Sequence, residues 1–509
     1  MEGAATPEAQ RALLASLVDG ALGSKEFYRT LVDYGHELLP IPSYNSGSEG
    51  YYWTGSTAFD LATCPDDTAH PGGFAMSKDE CLDPDAPTTT SDVWFSPGKP
   101  VKLVGRAGKT DLVGDDGQDC GSRFGGGLYN VVAREGCGCG PGAQWCILSS
   151  NLSYGGPTEQ VHHRMDVAAS QRRQIWDEPA RLLAHVIFHD RPFSDLVLGN
   201  YTVAPPALKN MYVRWARLDP GNKALDQSTW WKPGTWSKAA DPENTPGSLT
   251  AWHEVVQQDL HPNLRSLLPA GAVGGDEQRT YTFDPRQEAG QPLGIPSAGV
   301  LTTLGALGSL SRERVRAARW LEVFGCQSFV PPPPEVHFVP YQTDPATEGT
   351  CQHCHVLIDP AAIHFKRPGL AGIHVVLGGI GPFGFDTIGR WDQSFTPGTR
   401  MTPISAEDAK AHPDWRLLDF LPTDQRLFDQ VSDGTIGPLG FGKMLVKSGR
   451  FDRCAAQRIF ERFVGRQLDP ATDKARLDQL TAQFLAAGRK VKPFVRDLIL
   501  DADEMRRGL

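Results

Sequence analysis

No stretch of the 509 residues approaches the ~18 apolar residues of a membrane helix. The most apolar segment, Ile373 to Phe385, is short and is broken by four glycines and Pro382. No Lys/Arg run is present, and the net charge is −10. A nucleic-acid binder would show a basic face, so that class is excluded, and the acidity is read as ordinary solubility. There is no internal repeat, no Gly-rich phosphate loop, no H-E-x-x-H zinc motif and no hydrolytic triad. The run Gly381-Pro-Phe-Gly384 is apolar and lacks the Lys-Ser/Thr of a phosphate loop. The sequence opens Met1-Glu2-Gly3-Ala4-Ala5, with neither a basic start nor an apolar run that would mark a leader.

What is abundant is glycine (54) and proline (40), which imply many turns and long irregular connections. Hydrophobic residues make up 40 % and charged residues 22 %, the balance of a folded protein and not of a disordered one. A chain this long implies about two to four domains. Ten cysteines stand at 64, 81, 120, 137, 139, 146, 326, 351, 354 and 454. Six of them fall between 64 and 146, in a stretch rich in Gly, Ser, Asp and Thr. That clustering reads as disulfides, hence an oxidising compartment.

Hydrophobic spacing divides the rest. Leu14, Leu17, Val18 and Leu22 form one helical stripe, and Phe27, Leu31, Tyr34 and Leu38 a second. Ser24 reads as an N-cap between them, and Pro40 and Pro42 as the stop. Residues 43–155 read as an irregular, partly β insertion with short pieces such as Val101 to Val104. Asp115 to Asp119 is a candidate for calcium, but it does not match an EF-hand loop and reads first as an acidic turn. Residues 160–270 return to helix, with a start expected at Asp177-Glu178-Pro179: acids in the first turn and Pro at the first helical position. The Trp-rich stretch 230–252 reads as a loop. A helix is expected from Ser311 to Phe324, closed by Gly325. Pro331 to Pro334 make a stiff extended spacer. From Asp452, read as a cap, three helices follow on the stripes Ala456/Ile459/Phe460/Phe463/Val464, Leu477/Leu480/Phe484 and Val491/Phe494/Val495/Leu498/Ile499.

The chemistry lies in Cys351-Gln-His-Cys-His355, a C-x-x-C-H. Two thiols separated by two residues can add to the two vinyl groups on one edge of haem, and the next residue then offers its imidazole to the iron. Chance places about 0.005 such matches in a chain with this many cysteines and histidines, so the signal is specific. Its competitors are a Cys351–Cys354 disulfide beside an incidental histidine, and a zinc site, which would need two more ligands. With two cysteines on haem, eight remain, enough for four bridges. The motif occurs once, which disfavours dihaem peroxidases.

Three blocks of residues resemble the planctomycete-type secreted cytochromes c, which are built from consecutive domains of unknown function. The first is Glu178 to His185 with Asp190 to Leu196 and Asn200 to Val203. The second is Gly299 to Leu301, Arg316 to Cys326, Pro331 to Pro334, the haem motif, Ile358-Asp-Pro360 and Phe385 to Trp391. The third is Phe451 to Cys454, Gly465-Arg466 and the closing helices. Together they cover roughly residues 160–509; 43–155 resembles nothing we can name. The resemblance implies haem c, export and redox work, and it implies that Cys326 pairs with Cys454. This chain departs from the family pattern by inserting about seventeen residues, Pro368 to Gly384, before Phe385.

These readings give a mainly α, multi-domain protein with a disulfide-rich, irregular, partly β insertion and a small c-type haem domain. Its expected divisions are N-terminal helices 1–42 packing with a helical domain 156–270, the insertion 43–155, a haem domain 271–395 and a C-terminal helical domain 396–509. One covalent haem c is expected on Cys351 and Cys354, with His355 as proximal ligand. For the distal side the candidates are Met401, then His374 and His364. Arg390 and Trp391 are candidates for a haem propionate or edge, or for stabilising a turn. Met444 reads as core, and His162, His163, His185 and His189 as structural. A strong distal ligand makes an electron carrier with a redox partner protein; an open iron makes an oxidoreductase with a small-molecule substrate. A disulfide-rich binding protein is the third reading. Haem attachment occurs outside the cytoplasm, so the expected place is the periplasm or cell exterior, with the leader replaced by Met1.

Overall fold

The structure, a computed structural model, describes residues 6–39, 41, 60–75, 78–96, 98–105, 143, 147–148, 160–205, 208, 241–244, 250–256, 297–303, 305–306, 313–329, 352–365, 426–433, 435 and 437–501. It is mainly helical with small sheets. Helices α1 (Pro7–Leu22) and α2 (Lys25–Leu38) follow the two expected stripes. Ser24 caps α2, its Oγ accepting from the Phe27 amide at 3.1 Å. Val18, Leu22, Leu31 and Tyr34 are buried, whereas Leu17 is 59 % exposed, so the α1 stripe is narrower than its spacing implies.

The insertion carries β1 (Asp60–Thr63), β2 (Phe74–Ala75), α3 (Lys78–Leu82), β3 (Thr88–Ser91), β4 (Val101–Val104) and β5 (Ile147–Leu148). The strands form one mixed sheet in the order β3-β4-β2-β1-β5. Side chains alternate across it. Phe74 and Leu103 pair in register and join Leu61, Trp94 and Phe95 in one cluster. Their neighbours Ala75 and Val104 join Cys64, Cys81 and Ala86 in another. The Cys64–Cys81 disulfide staples that second cluster.

Helix α4 runs from Gln160 to Phe188, with Pro179 inside it. The helix start expected at 177 is therefore wrong: proline at 179 stands in mid-helix. A mid-helix proline leaves the carbonyl four residues back without its amide partner, here Ile175. Gly305 lies against that carbonyl, where a Cβ would stand 2.5 Å from Ile175 O, so a bare backbone fits into the gap. There follow α5 (Asp195–Leu198), the antiparallel pair β6 (Tyr201–Ala204) and β7 (His253–Val256), a 3-10 turn at Gly299–Thr302, and α6 (Glu313–Gly325). Gly325 belongs to the end of α6, and the left-handed position beyond it falls on Cys326, φ 49°. Helix α7 (Gln352–Ala362) passes into a 3-10 turn, Ile363–Phe365. The short pair β8 (Arg426–Leu427) and β9 (Gln430–Val431) precedes α8 (Gly437–Lys447), α9 (Arg450–Val464), α10 (Lys474–Ala486) and α11 (Val491–Leu500).

One core joins these helices. It runs from Val18 through Leu183, Val197, Trp320, Phe365 and Phe441 to Phe484 and Phe494. Met444 is buried in it. Asp452 is not a cap: the α9 N-cap is Gly449, and the buried Asp452 carboxylate takes both Nε and Nη2 of Arg489, at 2.7 and 3.1 Å. Cys326 and Cys454 form the disulfide that the family resemblance implies. Among the described residues no helix is long and apolar enough to cross a membrane.

Candidate functional site

Helix α7 starts immediately after Cys351, so the C-x-x-C-H falls on its first turn. The stripe Ile358/Ala361/Ala362 turns the helix onto the core, and Phe365 follows from the 3-10 turn. Cys354 and His355 lie at the edge of that buried stripe. Cys354 is a free thiol, half-buried and packed on the core. The His355 side chain is 24 % exposed, and Val356 beside it is 54 % exposed. The first turn of α7 is thus open to solvent on one side and seated on apolar groups on the other.

Four residues after His355, one helical turn on, stands Asp359. His355 Nδ1 donates to Asp359 Oδ1 at 3.0 Å. A carboxylate only accepts, so the proton is on Nδ1 and the lone pair of the neutral ring is on Nε2. Nε2 has no hydrogen bond among the described residues. Asp359 is itself held by Arg314 of α6, whose Nε reaches Oδ1 at 2.8 Å and Nη2 reaches Oδ2 at 3.2 Å. The Asp359 side chain is only 7 % exposed. Two residues along α6, the buried Arg316 donates from Nη1 to the Phe365 carbonyl at 3.3 Å. Helix α6 therefore grips α7 near its middle and at the turn beyond its end.

His364 sits differently. It is fully buried, its Nδ1 donates to the Gly437 carbonyl at 3.1 Å, and its ring meets Phe441 edge-on. Burial pushes its pKa down to about 4, outweighing the opposing pulls of that hydrogen bond and of Asp433. His364 stands nine residues on from His355, in the 3-10 turn beyond the end of α7. The structure does not bring the two rings together. His185 is also buried; its Nε2 donates to Glu254 at 3.0 Å, and Arg191 reaches the same carboxylate oxygen at 3.1 Å. Cys351, His374, Arg390 and Met401 lie outside the described residues.

The donor set suits haem c. A free thiol and an imidazole whose Nε2 has no hydrogen bond among the described residues stand side by side on one helical turn, two of the three groups that a covalently anchored haem takes from a C-x-x-C-H; the third, Cys351, lies outside the described residues. Among the described residues no three His, Cys, Asp or Glu side chains gather as a bare metal ion would require. Asp359 and Arg314 were missed in the sequence. The i,i+4 spacing of His355 and Asp359 on an apolar-striped helix was the available signal for the first; for Arg314, 45 residues away in sequence, there was none. Comparisons with protein-family models, curated proteins and solved structures find no match to this chain.

Proposed function

We propose that this chain is a c-type cytochrome of the planctomycete-type family it resembles, with one haem joined to Cys351 and Cys354 and its iron held by His355 Nε2. The observation that carries the reading is the His355–Asp359 hydrogen bond, which commits Nδ1 and leaves Nε2 as the ligating nitrogen. When bound, the haem supplies a one-electron ferric–ferrous couple. The chain's own residues do the rest. The two thiols anchor the macrocycle, Asp359 fixes the plane of the His355 ring, and Arg314 fixes Asp359. The exposed side of the first α7 turn, with Val356 54 % exposed, would be where a redox partner protein approaches. Met401 or His374 would be the residue to hold the iron opposite His355, and Arg390 would pair with a propionate. The disulfides Cys64–Cys81 and Cys326–Cys454 support work in an oxidising compartment, the periplasm or cell exterior, where haem c is attached.

Electron transfer is the leading activity. A second reading, a haem-dependent oxidoreductase with an exchangeable distal position and a small-molecule substrate, is favoured by one feature. A carboxylate on Nδ1 makes the imidazole a stronger donor to iron, which stabilises the higher oxidation state. The test is the absorption spectrum of protein exported through a haem-maturation system, oxidised and then reduced. A low-spin spectrum unchanged by cyanide supports electron transfer; a high-spin spectrum that cyanide shifts supports the oxidoreductase. No haem band, with maturation working on a control, removes both and leaves a disulfide-rich binding protein.

A further inference from the structure

Resting on the haem reading above, we infer that Asp359 and Arg314 are a pair of positioning residues that set the reduction potential of the iron in opposite directions, acting through His355 Nδ1.

The geometry has three parts. Asp359 Oδ1 is shared: it accepts from His355 Nδ1 at 3.0 Å and from Arg314 Nε at 2.8 Å. Asp359 Oδ2 is taken by Arg314 Nη2 at 3.2 Å, so the carboxylate cannot rotate away from the ring. The carboxylate is nearly enclosed at 7 % exposure, while the guanidinium, at 32 %, remains in contact with solvent. A buried, charged acceptor on a histidine N–H is a far stronger pull than a carbonyl or water would exert.

His364 supplies the contrast within the same segment. Its Nδ1 donates at a similar distance, 3.1 Å, but to the neutral carbonyl of Gly437. Fixing the tautomer of a histidine therefore needs no carboxylate in this fold. At His355 the fold nonetheless places an acid, and places an arginine on that acid. The arginine draws charge out of the shared oxygen and so limits how far the imidazole leans towards imidazolate. Asp359 lowers the potential, because electron donation through His355 favours ferric iron. Arg314 raises it, by weakening that donation and by its own positive charge.

The test uses the full-length holoprotein, Asp359→Asn and Arg314→Gln, all matured with haem. Haem content is read first from the spectrum of the native chain. The midpoint potential of each form is then measured by spectroelectrochemistry, and solvent exchange of the His355 Nδ1 proton is followed by NMR in the ferrous state. In Asp359→Asn the ferrous-to-ferric ratio at fixed potential rises at least tenfold, an upward shift of about 59 mV for one electron, and the Nδ1 proton exchanges at least tenfold faster. In Arg314→Gln the ratio falls and the Nδ1 proton stays protected. Shifts of the same sign in both variants, or potentials within twofold of the native ratio, would overturn the inference and leave the pair a purely structural tie between α6 and α7. A native chain without covalent haem overturns the haem reading itself, and is distinguished by the first spectrum.

Discussion

Gly35 of α2 and Ala180 of α4 pack so closely that a Cβ built on Gly35 would lie 2.6 Å from the Ala180 Cα. The contact brings the two helix backbones together with only the Ala180 methyl group, 2.8 Å from the same built Cβ, beside them. Gly35→Ala adds one methyl group that only a separation of the helices can accommodate. Overpacking of this kind costs about 1–3 kcal/mol, against a gain of about 1 kcal/mol from better helix propensity. The expected outcome is a lower urea midpoint. Gly20 of α1 is the control: it is exposed, nothing lies within 4 Å of its built Cβ, and Gly20→Ala should stabilise the protein slightly. Two variants of equal stability would show that α2 and α4 can part at no cost.

The Cys326–Cys454 bridge closes a loop of 128 residues between the end of α6 and α9. Tying so long a segment restricts the unfolded chain strongly. Its removal in Cys326→Ser/Cys454→Ser should lower stability by about 2–5 kcal/mol. Both sulfurs must go together, since one residual thiol would add its own chemistry. Native protein treated with a reductant, which opens Cys64–Cys81 as well, should be destabilised at least as much as the double variant in a urea titration, and a double variant as stable as the native chain would make the bridge ornamental.

Local signals in the sequence served well where the structure is local. The stripes of α2, α10 and α11, the Ser24 cap and the β-prone Val101 to Val104 all rest on neighbours within a few residues. The misreadings at Pro179 and Asp452 share one cause, a partner far along the chain. Pro179 looked like a helix start because the accommodation of the Ile175 carbonyl comes from Gly305. Asp452 looked like a cap because its true partner, Arg489, is 37 residues away. The same limit applies at the site. C-x-x-C-H names its own chemistry, and Asp359 was within reach at i+4, but Arg314 becomes visible only when α6 packs on α7.

The Asp452–Arg489 pair predicts a measurable loss. Asp452 is 5 % exposed in its side chain, and Arg489 covers both its oxygens. Arg489→Gln strands a buried carboxylate. Removing one partner of a fully buried pair costs about 3–5 kcal/mol. The Arg489 side chain is 34 % exposed, which lets water replace part of the interaction. A loss of about 1–3 kcal/mol is therefore expected, and it should be largely recovered in Arg489→Gln/Asp452→Leu, where no carboxylate remains to be stranded. Failure of the second substitution to rescue stability would put the loss on Arg489's backbone position, φ 60°, or on its other contacts.

One buried and one half-buried histidine, His364 and His189, predict how the fold responds to acid. Burial holds the His364 pKa at about 4, and burial, with His185, Lys492 and Arg191 nearby, holds His189 at about 4 as well. In an unfolded chain both titrate near ~6.5. Between those values the unfolded chain binds protons that the folded chain refuses. Stability is therefore flat above pH ~6.5 and falls as pH drops towards ~4, by at most ~1.4 kcal/mol per pH unit for each histidine. Asp433 acts in another window. Its carboxyl is held at about 2 by hydrogen bonds from Thr435 and Lys443, which outweigh the opposing effect of burial. Its contribution is present above the usual carboxylate range and is lost only below it. Urea midpoints taken at steps from roughly pH 7.5 to 4.5 should decline for the native chain and decline about half as steeply for His364→Gln. Adding His189→Gln should flatten the curve further. Parallel curves for native chain and His364→Gln would mean that the His364 ring gains a proton without loss of the fold, and that its enclosure against Gly437 and Phe441 opens readily in acid.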